Sequence, residues 1–393
     1  MDRRSFLKAL GSAGAFLLAC DSASARSLFV LAVEDSSRIS NIEWVLYDTG
    51  RRQPDNHPEH RCAVRVTGAS GVQGWADLTG STMPDHAAIG LIRDILLGRS
   101  TADHKMIWRQ LYEQGIPLGV LAAVDVALWD LRGRLEGKPA HALLGTRRED
   151  VKVYASTGFN LGDPQTYAKY AATCKQEGVP ACKIQPYIGS PDRDMAVYKA
   201  VRDAVGPDYP CMAGGSRTYT FDEALRIGRL LDDLTYKWYE SPMPEDDGWR
   251  DRYISLAAQV RTPICTPAAN PDSYPARVLW MTAKACDIAC MDALHGGLTA
   301  CVELASACDA AGIPLELPYV GPDSYPHLQL IAATAPSLIE YFDLPSPSRE
   351  PYILPGRVTA EPTCDGQGRV AIPQTPGLGV ELDWRYIYTH RAI

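Results

Sequence analysis

The chain has 393 residues, 46% of them hydrophobic and 22% charged, with a net charge of −8. That is the composition of a globular protein long enough for a barrel plus a second domain. The acidic balance, with no basic run after the first residues, argues against a nucleic-acid backbone as partner. Eight histidines without HxH or HExxH spacing argue against a histidine zinc site.

Residues 1–26 read as an address rather than as part of the fold. Asp2-Arg3-Arg4-Ser5-Phe6-Leu7-Lys8 is a twin-arginine signature, and the apolar stretch from Ala9 to Leu18 that follows is too short to span a bilayer as a mature helix. Leu17-Leu18-Ala19-Cys20 forms a lipoprotein box. It makes Cys20 the lipidated start of a periplasmic protein that meets the membrane only through that anchor. Ala23-Ser24-Ala25 offers an A-x-A cleavage site and soluble release instead, and both routes stay open. Eleven cysteines with no CxxC pair fit export of an already folded chain, with buried free thiols rather than a disulfide framework.

Residues 27–145 predict an α+β domain. Apolar and polar residues alternate from about Ile39 to Trp75, as antiparallel strands do. Helical periodicity runs from about His86 to Leu135 and stops near Gly137-Lys138-Pro139. Over residues 146–345, Val151–Ser156 opens a series of strand-helix units. Apolar runs near 182–186, 210–213, 236–240, 263–266, 287–292 and 314–318 alternate with amphipathic helices. Thr220–Leu234 is one such helix, with Leu225, Ile227 and Leu231 on one face. This alternation predicts a parallel β/α barrel. Residues 346–393 form a tail rich in proline and glycine.

Three stretches, AAVDVALWDLRGRLEGKPAHALLG at Ala122–Gly145, ACKIQPY at Ala181–Tyr187 and WYESP at Trp238–Pro242, occur in an order and spacing that resembles the enolase superfamily, in its mandelate racemase and acid-sugar dehydratase branch. The closing PGLGVELDWRYI is similar to that family too. The resemblance implies an α/β fold, a modified (β/α)8-type TIM barrel with an N-terminal α+β capping domain to which the tail returns. It implies a lyase (dehydratase) or isomerase (racemase or epimerase) acting on a small hydroxy acid or sugar acid, in a homo-oligomer. It also implies one magnesium ion held by carboxylates from the ends of the third, fourth and fifth barrel strands. Here the fourth-strand ligand is Glu240, while the other two positions fall on Gly214 and on Ala268 in ICTPAAN.

Alternate residues of a strand face opposite sides, so parity sorts the remaining candidates. Lys183 matches the family's second-strand lysine and is the leading base, and Gln185 shares its face. Gln185 cannot act as a base and can only position or donate. Tyr187 and Arg217 join it as binding candidates. Opposite parity sends Cys182, Cys211 and Cys265 outward. Asp292 sits where many relatives carry a sixth-strand aspartate, and His295 follows in what reads as a loop. The seventh-strand histidine that pairs with that aspartate in racemases is missing, its place falling on Leu317 or a neighbour. Asp272, Glu316 and Arg217 are the charges near these gaps, and they read as loop or surface groups. The Ala213-Gly214-Gly215 run removes bulk and predicts a wider site. A single carboxylate holds magnesium poorly, so no cofactor is expected unless another ligand replaces the lost ones. Two readings follow: an exported enzyme without the standard magnesium site, or a non-catalytic binding protein for a small carboxylate.

Overall fold

In the computed structural model the described residues are 36–52, 56–78, 83–186, 190–215, 217–268, 274–318, 324–345, 356, 358 and 362–392. Residues 1–35, with Cys20, together with Tyr187 and Asp272, lie outside them.

Strand β1 (Ile39–Arg52) pairs antiparallel with β2 (Pro58–Gly68), which pairs with β3 (Gln73–Leu78). Alternation buries Ile42, Trp44, Val64 and Val66 on this sheet. The helical stretch divides into α1 (His86–Leu96), α2 (His104–Glu113) and α3 (Leu118–Glu136), followed by the short α4 (Ala140–Leu144). Helix α3 is apolar nearly all round and is buried from Val120 to Leu131, as a helix sandwiched between other layers must be. Its Gly137 cap is left-handed, the conformation that ends many helices.

Strand β4 (Asp150–Ser156) then begins a parallel series joined by helices: α5 (Pro164–Gln176), β5 (Cys182–Ile184), α6 (Pro191–Val205), β6 (Cys211–Gly214), α7 (Phe221–Asp233), β7 (Tyr239–Glu240), α8 (Arg250–Ala257) and β8 (Ile264–Cys265). It continues through α9 (Tyr274–Thr282), β9 (Ala289–Cys290), α10 (Ala293–Ala311), β10 (Leu315–Glu316), α11 (Tyr325–Ala332) and β11 (Tyr341–Pro345). The order β11-β4-β5-β6-β7-β8 is one continuous path. A Cys265–Ile288 bridge joins β8 to the β9–β10 pair, and the Leu315 amide donates to Leu338 O at 2.8 Å. These contacts carry the ring round to β11, which makes the modified TIM barrel.

Helix α7 has a capping box in which Thr220 and Glu223 satisfy each other's amides, an arrangement that stabilises by about 1 kcal/mol. It buries Ile227 and Leu231 as its pattern predicts, whereas Leu225 is only half-buried. Each described cysteine is a free thiol, buried except for the half-buried Cys364. Strand β12 (Arg369–Ala371) pairs antiparallel with β4. Helix α12 (Trp384–Thr389) leads to a chain end whose His390 O accepts from the Asp48 amide of β1 at 3.0 Å. Helix α3 docks on the barrel through Asp125, which accepts from the Thr299 amide at 2.8 Å, and through Trp129 Nε1, which donates to Thr299 Oγ1 at 2.9 Å.

Candidate active site

The barrel interior holds an aromatic layer of Tyr154, Trp238 and Tyr341 together with Met212, Cys265 and Cys290. Lys183 lies among them with 1% of its surface exposed. Its Nζ is 3.0 Å from Glu240 Oε2, 3.0 Å from Asp343 Oδ2 and 3.2 Å from the Tyr154 hydroxyl. Burial works against the ammonium. The facing Asp343, Glu240 and Glu316 outweigh it and hold the lysine well above its ordinary value. Lys183 is therefore a protonated counter-charge at neutral pH. A base needs a lone pair, so the role expected of it is corrected here to that of a fixed cation.

Glu316 points into the same interior and accepts the Tyr154 hydroxyl. It is 4% exposed, which overturns its reading as a surface charge. Burial pushes its carboxyl up to about 8, against the pull of Lys183 and the Tyr154 hydrogen bond. Leu317, by parity, packs outward into the main core. Of the positions the resemblance left open, Leu317 or a neighbour, the inward one is Glu316.

Neighbouring side chains reach both positions where the resemblance places the other two ligands. A Cβ added at Gly214 would lie 2.5 Å from Gln185 Cγ, so the glutamine side chain occupies that space. A Cβ at Gly215 would meet Pro242 Cα at 2.5 Å, and its amide donates to Glu240 O at 2.6 Å. Gly214 thus permits close packing against Gln185, which follows β5, and Gly215 against Pro242, which follows β7. At the fifth strand, Ala268 donates its amide to Glu245 Oε1 at 2.9 Å. The same oxygen accepts from Thr266 Oγ1 at 2.9 Å and from the Ser241 hydroxyl at the 3% exposed Glu245. Cys265 also faces inward, contrary to expectation, because β8 ends there and alternation cannot be counted back from residue 268. Cys182 and Cys211 do face the outer helices, with their sulfurs 3.8 Å apart.

No group of three histidine, cysteine, aspartate or glutamate residues among the described residues has the geometry to hold a metal. Glu240 already faces an ammonium at ion-pair distance. These residues do not fit the magnesium ion of the resemblance: one carboxylate, neutralised by Lys183, is too weak a donor set for a hard cation.

At the C-terminal end of β9, Asp292 caps α10 by accepting the Leu294 amide at 2.8 Å. His295 is in the first turn of that helix rather than in a loop, with Nδ1 2.8 Å from Asp292 Oδ2 and 53% of its side chain exposed. On the other side His327 Nε2, from the start of α11, is 3.1 Å from Asp292 Oδ1 and 3.0 Å from the Ala293 amide. Burial opposes ionisation of Asp292, but the hydrogen bond from His295, the largest opposing cause, with the nearby His327 holds it well below the usual carboxylate range. Arg217 follows β6, exposed and with φ of 58°, and its amide donates to Ser241 O at 3.0 Å.

Residues 166–386 match the enolase C-terminal domain-like family, and residues 57–145 match the mandelate racemase/muconate lactonizing enzyme N-terminal domain. The chain belongs to the enolase superfamily. Within the mandelate racemase and acid-sugar dehydratase branch, it is 29% identical over 347 residues to a D-galactarolactone cycloisomerase of Agrobacterium fabrum, covering 81% of this chain and 88% of that one. An arabinonate dehydratase of Saccharolobus solfataricus is 24% identical, with 83% and 89% covered. The solved D-glucarate dehydratase of Agrobacterium tumefaciens, complexed with magnesium, superposes with a TM-score of 0.80 at 24% identity, covering 91% of this chain and all of that one. Superfamily membership supports lyase or isomerase activity, and the fold is that of the capped TIM-barrel enzymes of this superfamily.

The sequence did not point to Tyr154, Asp343, Glu245 or His327. Tyr154 and Asp343 had inward parity in VKVYAS and YFDLP as their only signal. Glu245 and His327 come from segments outside the strands, where no periodicity marks them.

Proposed function

We propose that this chain is a dehydratase or cycloisomerase for a small sugar acid or its lactone, exported by the twin-arginine route and working without a resident magnesium ion. The observation that carries the proposal is the half-exposed His295 held at 2.8 Å by the buried, ionised Asp292. An ionised carboxylate accepts Nδ1–H, which fixes the tautomer and leaves Nε2 as the basic atom. In this scheme His295 removes the proton next to the substrate carboxylate. The amide of Gln185, over Gly214, and Arg217 donate to the developing oxyanion. Lys183 supplies positive charge one layer below and keeps Glu240 in place. The named activities of the relatives support the substrate class.

The test is turnover on a panel of aldonic and aldaric acids and their lactones, with and without a chelator. Turnover should survive chelation and fall about 10²–10⁴-fold in His295→Asn. Activity that a chelator abolishes and magnesium restores would overturn the metal-free part. Activity untouched in His295→Asn would overturn the base assignment. The second reading, a binding protein without turnover, is favoured by the way Gln185 and Lys183 fill the former metal site. Saturable binding of a panel member with no conversion of any would select it. Export is tested by replacing Arg3 and Arg4 with lysines, which should leave the protein in the cytoplasm. Cys20→Ala should then free a lipid-anchored form from the membrane, while a form already soluble would show cleavage after Ala25.

A further inference from the structure

His295 sits on a single helical turn that the rest of α10 does not hold. Asp292 O accepts the His295 and Gly296 amides at 3.1 Å each, and Gly297 then breaks the helix with φ of 84°. A Cβ at Gly297 would meet Asp125 Oδ2 at 2.7 Å, so the kink takes no side chain. One turn of helix has no stability of its own. Its start is held by Asp292, which accepts the Leu294 amide at 2.8 Å, and by His327 Nε2, 3.0 Å from the Ala293 amide.

Its end is held by the capping domain. Trp108 of α2 donates Nε1 to Gly296 O at 2.7 Å, and that carbonyl belongs to the residue directly after His295 and directly before the kink. The indole is buried and stacks on Tyr112 with ring centroids 5.3 Å apart, so its direction is fixed from the capping side. Beyond the kink the same domain holds a different residue. Asp125 Oδ2 accepts the Thr299 amide at 2.8 Å, and Trp129 Nε1 donates to Thr299 Oγ1 at 2.9 Å. The two indoles therefore grip opposite sides of one break, and only Trp108 touches the turn that carries the imidazole.

We infer that Trp108 is a positioning residue for His295: it pins the end of the turn and so keeps the imidazole on Asp292, with Nδ1–H directed at the carboxylate. The capping domain thereby sets the orientation of a group that stands on the barrel. That His295 is the base rests on the function proposed above, whereas its orientation is measured without any turnover.

The experiment is NMR of the full chain with isotopically labelled histidine rings, the His295 signals being assigned from their loss in His295→Asn. With the ring neutral, the wild type should show the Nδ1–H tautomer. Trp108→Phe removes the donor and keeps an aromatic ring. The two ring-nitrogen shifts of His295 should then move toward each other as the Nε2–H tautomer gains share. Trp129→Phe removes the same kind of donor beyond the kink and should leave these shifts alone. Tyr112→Ala, at a side chain 37% exposed, loosens the stacked indole. It should move the shifts the same way by less, and it serves should Trp108→Phe not fold. On any acid of the panel that the wild type converts, Trp108→Phe should lower kcat about tenfold and leave KM within about twofold, as a misplaced group does. His295 shifts unchanged in both Trp108→Phe and Tyr112→Ala, or moved as far in Trp129→Phe, would overturn the inference. A wild type without turnover counts against the proposed activity, and the nitrogen shifts still decide the role of Trp108.

Discussion

Replacing Lys183 with methionine tests whether the barrel interior is held by charge balance. The ammonium lies 3.0 Å from both Glu240 and Asp343, and the three side chains are 1%, 10% and 3% exposed. Removing the cation leaves two buried carboxylates facing each other without compensation. Breaking one buried pair from one side costs about 3–5 kcal/mol. That is a large share of a total stability of about 5–15 kcal/mol. A second, triple variant, Lys183→Met with Glu240→Gln and Asp343→Asn, removes the charges together and should recover most of the loss, because neighbours in one network are not additive. Urea unfolding followed by tryptophan fluorescence gives both values by linear extrapolation. The folded lysine titrates above its unfolded value of 10.5, so its contribution is complete below that pH and disappears only as pH rises through the folded value. The wild-type lysine itself therefore adds no pH dependence through the neutral range. In Lys183→Met the loss should instead grow as pH rises and the uncompensated carboxyl groups ionise. A single variant within about 1 kcal/mol of the wild type, or a triple variant no more stable than the single one, would refute the charge-balance argument.

Other consequences are equally measurable. Glu316 keeps its proton to about 8 in the fold, against 4.5 when exposed, so stability should fall as pH rises through that window. Glu316→Gln should flatten the decline, as urea midpoints taken at both ends of the window would show. Asp292 is shifted the other way: its contribution is present above the unfolded value of 3.8 and is lost as pH falls through the depressed folded value. Asp292→Asn should thus be destabilised at neutral pH and approach the wild type in acid, as read by acid titration of circular dichroism. Gly214→Asp places its Cβ against Gln185 Cγ and should lose about 1–3 kcal/mol by overpacking. Calorimetry should find no magnesium site in that variant, and a melting temperature equal to the wild type would disprove the crowding.

Much of the fold was legible along the chain. Alternation marked β1 to β3, and the apolar runs marked β4 to β10 to within a few residues, while β11 (Tyr341–Pro345) was not marked. The Gly137-Lys138-Pro139 stretch marked where α3 stops. These signals are local, because a strand or helix repeats its pattern within a few residues of itself. The identities at 214, 240 and 268 were equally plain, and from them comes the expectation that two positions where the resemblance places magnesium ligands carry no carboxylate.

What now stands in those places was not legible. Gln185 lies over Gly214, Glu245 over Ala268, and Asp343 beside Lys183 only because the barrel brings its first, second and last strands together. His295 is helical because Asp292 caps α10, and His327 reaches the same carboxylate from a helix start 35 residues on. A side chain's periodicity records which way it faces, but its charge state depends on which groups share its dry interior. The sequence therefore determined the barrel and which residues stand at 214, 240 and 268. The tertiary structure decided that Lys183 is a counter-ion rather than a base, since burial at ion-pair distance from two carboxylates holds its proton in place.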